Sequence, residues 1–224
     1  MSTVQKLLSL NKDMHVIDLG ANIGQYSLLA AHAGRKVLSV EARLLHIHML
    51  YHSLQLNNFL DRVTLMHNAI SDSRANILLR SYDKNPGGTY VLEGDELPVD
   101  QSNSGGHVVD VRTNMSSTSI LMDDLADVVN FSKALLKMDI EGSEHRALKY
   151  SDRLFNKVYI PFIFMEWAAM REKRAREIEP LLKKMSERRY QVYSMNCLGQ
   201  AYDMAKWREW GGDVIFKHVD AKFN

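Results

Sequence analysis

Val16-Ile17-Asp18-Leu19-Gly20-Ala21-Asn22-Ile23-Gly24-Gln25-Tyr26-Ser27 is an apolar run broken by one glycine and followed, past a second, by residues at helical spacing. A short β-rich segment, a tight glycine turn and a helix make the opening unit of a nucleotide-binding α/β fold. The strand is expected over His15 to Leu19 and the helix over Ile23 to Ala33, with Gly34 closing it as a C-terminal cap. A pyrophosphate loop would read G-x-G-x-x-G. Here the pattern is Gly20-x-Asn22-x-Gly24, with a side chain where a pyrophosphate needs bare backbone. Asp18, at the strand end, would repel a phosphate. A cationic ligand reverses that sign. S-adenosylmethionine has no phosphate and carries a sulfonium and an ammonium, so the loop suits it better than a dinucleotide.

Outward from this unit, strand-like and helix-like segments alternate, which predicts an α/β fold with a mostly parallel sheet. Lys36 to Val40 reads as the second strand, Leu44 to Asn57 as the second helix and Arg62 to His67 as the third strand. Glu41 ends the second strand, 23 residues after Asp18, where an acid can accept both ribose hydroxyls of a nucleoside. Nicotinamide enzymes place an acid there too, so Glu41 does not separate the two ligands. Asn68-Ala69, after the third strand, can flank an adenine ring. The plainer alternative is that the glycines only make a tight turn and the acids cap helices.

Asp83 to Gly106 gathers Gly87, Gly88, Gly94, Gly105, Gly106, Pro86 and Pro98. It is expected to be a long loop or irregular hairpin, either disordered or serving as a lid, that becomes ordered with acceptor bound, between strand-like segments at Ala75 to Arg80 and His107 to Thr113. Ala134 to Met138 reads as a buried strand ending at Asp139, with a helix from about Ser143. Val158 to Met165 is another, ending at Glu166; a helix then covers Glu177 to Arg188 with Pro180 in its first turn. Tyr190 to Met195 and Asp213 to Val219 read as the last strands. Ligands of open α/β sheets sit outside the carboxyl ends of the strands. Asp139 and Glu166 are therefore expected to converge on one pocket.

The pairing of Asp18-Leu-Gly20-Ala-Asn22-Ile-Gly24-Gln-Tyr-Ser27 with Lys137-Met-Asp139-Ile-Glu141-Gly142-Ser-Glu144 resembles the FkbM family of methyltransferases. Glu41-Ala42, Asn57-Asn58, Asn68-Ala69-Ile-Ser-Asp72 and Met122-Asp123-Asp124-Leu125 match that family in order, over about Val16 to Trp167. The resemblance implies a Rossmann-like class I methyltransferase fold, a mostly parallel seven-stranded sheet with helices on both faces. It implies one domain over residues 1–224 with an insertion at about 83–106, and S-adenosylmethionine as donor. Commonly the reaction is O-methylation of sugars or natural products. Donor-binding positions carried over are Asp18, Gly20, Ala21, Asn22, Gly24, Ser27, Glu41, Ala42, Asn68, Ala69 and Asp139. After the second-strand acid, where such enzymes often carry an aromatic residue or proline, this chain has Ala42-Arg43-Leu44.

Methyl transfer is an in-line displacement, so alignment dominates and a positioned base helps a hydroxyl lose its proton. Glu166, Asp139 and His145 are the candidates, in that order. Asp139 and Glu166 could instead share a divalent metal, but they are only two ligands; His48 and His52, one helical turn apart near His46, lack an acidic third. No metal centre is expected. N-methylation usually needs Asn or Asp followed by Pro-Pro-aromatic, which Asp139-Ile-Glu141-Gly142 is not. A ribose 2′-hydroxyl of RNA is the alternative acceptor, suggested by Lys173, Arg174, Arg176, Lys183, Lys184, Arg188 and Arg189. Glutamates interleave with them, which favours a solvated helix face. A non-catalytic S-adenosylmethionine-binding module and a nicotinamide-dependent dehydrogenase are the readings outside methyl transfer. Tyr202, Trp207 and Trp210 either stack on an acceptor or pack internally.

The 224 residues are 46% hydrophobic, and 28 basic residues balance 27 acidic ones to a formal net charge of +1. That gives no long-range attraction to nucleic acid or an anionic membrane. A small-molecule or glycan acceptor is expected. No apolar run approaches the ~20 residues of a membrane span, and Met1 to Leu10 is too polar for a signal peptide. Cys197, the single cysteine, reads as a small buried hydrophobe, and a reducing compartment, the cytoplasm, is expected.

Overall fold

A computed structural model describes residues 3–82, 85–92, 116–173, 175–195 and 201–222. In chain order the elements are α1 (Thr3–Leu10), β1 (His15–Leu19), α2 (Gln25–His32), β2 (Val37–Glu41), α3 (Leu44–Leu56) and β3 (Val63–His67). Next come β4 (Ala69–Ile70), β5 (Asn76–Tyr82), β6 (Asn85–Leu92), β7 (Ser116–Ile120), α4 (Leu125–Val128), β8 (Lys133–Met138), α5 (Glu144–Lys149) and α6 (Asp152–Lys157). β9 (Tyr159–Glu166), α7 (Ala168–Lys173), α8 (Ala175–Glu187), β10 (Tyr190–Ser194) and β11 (Asp213–His218) complete the chain.

Seven strands form the main sheet in the order β10-β11-β9-β8-β1-β2-β3. β3, β2, β1, β8 and β9 are parallel, and β11 runs antiparallel between β9 and β10. Because alternate side chains of a strand point to opposite faces, the buried strands supply two cores at once. Ile17, Leu136, Ile163 and Met165 face one side, under α4, α5, α6 and α8. Val16, Leu135, Phe162 and Phe164 face the other, under α1, α2 and α3. This is a Rossmann-like class I methyltransferase architecture with helices on both faces. The order reverses between β1 and β8, so a crevice opens at their carboxyl ends.

A second, four-stranded sheet has the order β4-β7-β5-β6. The stretch expected to be a loop or irregular hairpin is a hairpin over its first part: β6 pairs antiparallel with β5, with a register shift at Ser81/Tyr82. The rest of that stretch, and the strand expected at His107 to Thr113, lie outside the described residues. Ala69, Ile77 and Leu79 give this sheet a small core of their own, against which Ala42 packs. The small sheet thereby backs one edge of the crevice. Pro180 is a correction: α8 begins at Ala175, so the proline is its sixth residue rather than in its first turn. It removes one intrahelical hydrogen bond near the helix start.

Candidate functional site

The β1–α2 turn is held open by three left-handed residues, Gly20 (φ 76°), Asn22 (φ 51°) and Gly24 (φ 94°). A Cβ on Gly20 would stand 1.9 Å from the Asp139 carbonyl oxygen, so only glycine lets the turn meet the β8 exit. Asn22 caps its own turn, its Oδ1 accepting the Ile23 N–H at 2.8 Å. Its backbone N–H donates to Glu41 Oε2 at 2.8 Å. The Arg43 N–H donates to Glu41 Oε1 at 2.8 Å, so Glu41 joins the ends of β1 and β2. Asn68 Nδ2 donates to the Thr118 carbonyl at 3.1 Å, tying the end of β3 to the small sheet.

Asp18 and Ser27 do not face the crevice. Asp18 is 1% exposed and accepts the Ser27 hydroxyl at 2.5 Å; Ser27 in turn is 2.7 Å from Ser39. Burial raises the Asp18 carboxyl to about 6, opposed by the Ser27 hydrogen bond and the Lys137 charge. The three side chains bolt β1, α2 and β2 together beneath the turn. Gly24 likewise sits against Leu50 rather than at the crevice.

On the β8 side, Lys137 and Asp139 are two apart and so share a direction. Lys137 Nζ donates to Asp139 Oδ2 at 2.8 Å and lies 5.3 Å from the centre of the Tyr26 ring. Glu141 (φ 57°) and Gly142 (φ 93°) turn the chain sharply into α5. Glu144 closes that turn from below: its Oε1 accepts the Ile140 N–H at 2.9 Å while the residue is 0% exposed, and burial raises its carboxyl to about 7. Glu166 ends β9 opposite Asp213 of β11. Burial, and then the negative charges of Asp139, Glu141, Glu144 and Asp213, push the Glu166 carboxyl up to about 8. Its Oε2 is buried without a hydrogen-bond partner.

These elements enclose a cleft of about 360 Å³. Gly20, Ala21, Asn22, Glu41 and Ala42 line one side, Asn68 and Ala69 the end, and Asp139 and Glu166 the other side. Nine of the positions picked from sequence therefore converge. Asp18, Gly24, Ser27 and His145 are not among the lining residues; His145 sits half-buried in the first turn of α5. Lys137, Tyr26, Gln25 and Glu141 line the cleft too, beyond the positions that the sequence singles out for it. For Lys137 the alternation Lys-x-Asp at a strand end was the available signal.

Among the described residues no three His, Cys, Asp or Glu side chains are grouped to hold a metal. His46 is buried, whereas His48 and His52 are exposed on another face of α3. Trp207 and Trp210 are buried against Trp167, and Tyr202 stacks on Trp210 at 5.6 Å, so these rings pack internally. Cys197 and Arg174 lie outside the described residues.

S-adenosylmethionine fits this cleft. The wall carries Glu41, Asp139 and Glu141 against one cation, Lys137, which matches a ligand with a sulfonium and an ammonium.

The methyltransferase FkbM domain matches residues 18–192. No curated protein sequence matches the chain. Among solved structures, the methyltransferase FkbM from Methylobacillus flagellatus KT is similar with a TM-score of 0.54 at 18% identity. That match covers 91% of this chain and 43% of the other, so this chain spans less than half of that protein's length. An O-methyltransferase from Bacillus cereus, solved in complex with S-adenosylhomocysteine, gives a TM-score of 0.51 at 10% identity, covering 95% of this chain and 77% of that one. At such identities the structural likenesses show the fold; the domain match shows the family. The chain belongs to the FkbM methyltransferase family, whose methyl donor is S-adenosylmethionine.

Proposed function

We propose that this chain methylates a hydroxyl oxygen of a sugar or other small molecule, with Glu166 as the general base. The observation that carries the reading is Glu166 itself, a carboxylate at the cleft wall with one buried, unpartnered oxygen and a raised proton affinity. When bound, S-adenosylmethionine supplies a methyl group made electrophilic by its sulfonium. Glu41 holds its ribose, Asn68 and Ala69 flank its adenine, and Asp139, oriented by Lys137, faces its cationic end. Gly20, Ala21 and Asn22 bring backbone close to it. Glu166 takes the proton from the acceptor hydroxyl as the oxygen becomes a nucleophile.

The late basic residues support a small acceptor over RNA. Lys184 and Arg188 pair with Asp152, Arg189 with Asp220, and Lys183 lies near Glu187, so these four spend their charge on neighbours. Exchange of Glu166 for Gln tests the reading. Across a panel of hydroxylated sugars and small phenols, Glu166→Gln should lower kcat by about 10²- to 10⁴-fold. Affinity for S-adenosylhomocysteine should be kept. Unchanged kcat in Glu166→Gln would remove Glu166 from the chemistry. Donor binding without turnover on any acceptor would favour a non-catalytic module.

A further inference from the structure

Lys137 is the one cation among the described residues that line the cleft, where Glu41, Asp139, Glu141 and Glu166 supply the acids. It is only 5% exposed, and a buried ammonium needs partners. Its Nζ donates to Asp139 Oδ2 at 2.8 Å, and the centre of the Tyr26 ring lies 5.3 Å away, within cation–π range. Asp18, the register partner of Lys137 on β1, accepts the Ser27 hydroxyl instead. A lysine ammonium has three N–H donors. One goes to Asp139, so Nζ keeps donors for a group that enters the cleft. Asp139 keeps acceptor capacity as well, because its side chain is 44% exposed. The pair thus presents a positive and a negative charge side by side on one wall. Gln25 and Tyr26, in the first turn of α2, line the same cleft and bring the positive end of that helix to it.

The amino-acid end of the donor is the matching zwitterion. It carries an ammonium and a carboxylate on one carbon, and that carboxylate is the donor's only anionic group. Among the acids of the cleft, it finds its one counter-charge at Lys137. We propose that Lys137 is a donor-binding residue: its Nζ receives the α-carboxylate of the donor, while Asp139, to which it is hydrogen-bonded, receives the α-ammonium. The inference rests on the reading of Asp139 as the group that faces the donor's cationic end. It assigns the anionic end, and with it a preference of this site for the complete amino acid over adenosyl compounds that keep only the amine. Lys137 and Asp139 are two apart at the end of β8, so the pleat sets the spacing of the two charges and one strand reads both ends of the zwitterion.

The test is calorimetric titration of the full chain with S-adenosylhomocysteine, its decarboxylated analogue and its deaminated analogue. On the unaltered chain the decarboxylated analogue should bind about tenfold or more weakly than the parent, because a charge-assisted hydrogen bond is lost. In Lys137→Met the parent should weaken by a similar factor. The decarboxylated analogue should bind that variant within about twofold of its affinity for the unaltered chain, or more tightly, so the preference for a carboxylate disappears. Asp139→Asn should give the mirror image, weakening the parent and the decarboxylated analogue and sparing the deaminated one. Equal binding of parent and decarboxylated analogue by the unaltered chain would overturn the proposal, and this comparison decides even if Lys137→Met fails to fold. A folded Lys137→Met that weakens both ligands by the same factor would overturn it as well, since a purely structural counter-ion of Asp139 would do the same. Asp139→Asn separates the layers. If it binds all three ligands as the unaltered chain does, the reading of Asp139 fails and the proposal with it. If it weakens the amine-bearing ligands while Lys137→Met keeps the carboxylate preference, only the role of Lys137 fails.

Discussion

Three carboxyls around the cleft hold their protons unusually tightly: Asp18 at about 6, Glu144 at about 7 and Glu166 at about 8. Burial is the first cause for each, and for Glu166 four neighbouring acids add to it. An unfolded carboxyl titrates near ~4. The folded protein therefore binds these protons more tightly than the unfolded chain does. Such groups stabilise the fold at low pH, and that contribution is lost as pH rises from ~4 through the folded values. The ligand-free melting temperature should fall between about pH 5 and pH 8 from this source. His15 and His218, lowered chiefly by burial, pull in the opposite direction. Glu144→Gln isolates the effect, since the amide oxygen can still accept the Ile140 N–H. Melting curves of this variant should show a flatter pH dependence, and an unchanged slope would contradict the burial account. The same sign argument applies to catalysis. As a base, Glu166 acts only when ionised, so kcat/KM should rise with pH toward a value near 8 and Glu166→Gln should abolish that limb.

The β1–α2 turn and the β8–α5 turn are one mechanical unit, because Gly20 touches the Asp139 backbone and the Asp139 N–H donates to the Leu19 carbonyl at 3.1 Å. Gly20→Ala places a methyl into that contact at a positive φ, and should cost more than ~1 kcal/mol of stability. It should also weaken donor binding, because it pushes the two halves of the cleft apart. Denaturant midpoints and a donor titration together check this. Both glycine turns were legible in the sequence, since a glycine between a strand pattern and a helix pattern has a single geometric use. So was the convergence of Asp139 and Glu166, the one just past an apolar strand and the other at the last position of another. The burial of Asp18 was not legible. Its place at a strand end suggested a ligand, but its alternate direction sends it under the turn to Ser27, and the pleat's phase is set by the neighbouring strands. The small sheet was also hidden. β7, Ser-Ser-Thr-Ser-Ile, has no apolar alternation to announce it and exists by pairing with β5. His46 read as one of three histidines on a helix until α3 turned it toward Glu41 and the other two toward solvent.

At the scale of the whole molecule, the described residues concentrate acidity at the carboxyl ends of the central strands, where Glu41, Asp139, Glu141 and Glu166 line one cleft. Among the described residues no helix is long and apolar enough to cross a membrane. A molecule of net charge +1 with an acidic cleft should draw cationic ligands by local field alone, a preference that salt weakens over a Debye length of ~8 Å at physiological ionic strength. Raising ionic strength should therefore weaken S-adenosylmethionine more than the neutral-sulfur S-adenosylhomocysteine, a comparison readable in parallel titrations. The most direct measurement is thermal denaturation of the full chain with S-adenosylmethionine, S-adenosylhomocysteine and NAD in parallel. At about a hundredfold excess over its dissociation constant a ligand adds ~2.7 kcal/mol of stability. Stabilisation by both adenosyl ligands, lost in Glu41→Ala and absent with NAD, is the predicted result. Stabilisation by NAD alone, or an unchanged response in Glu41→Ala, would contradict the assignment of this cleft to the methyl donor.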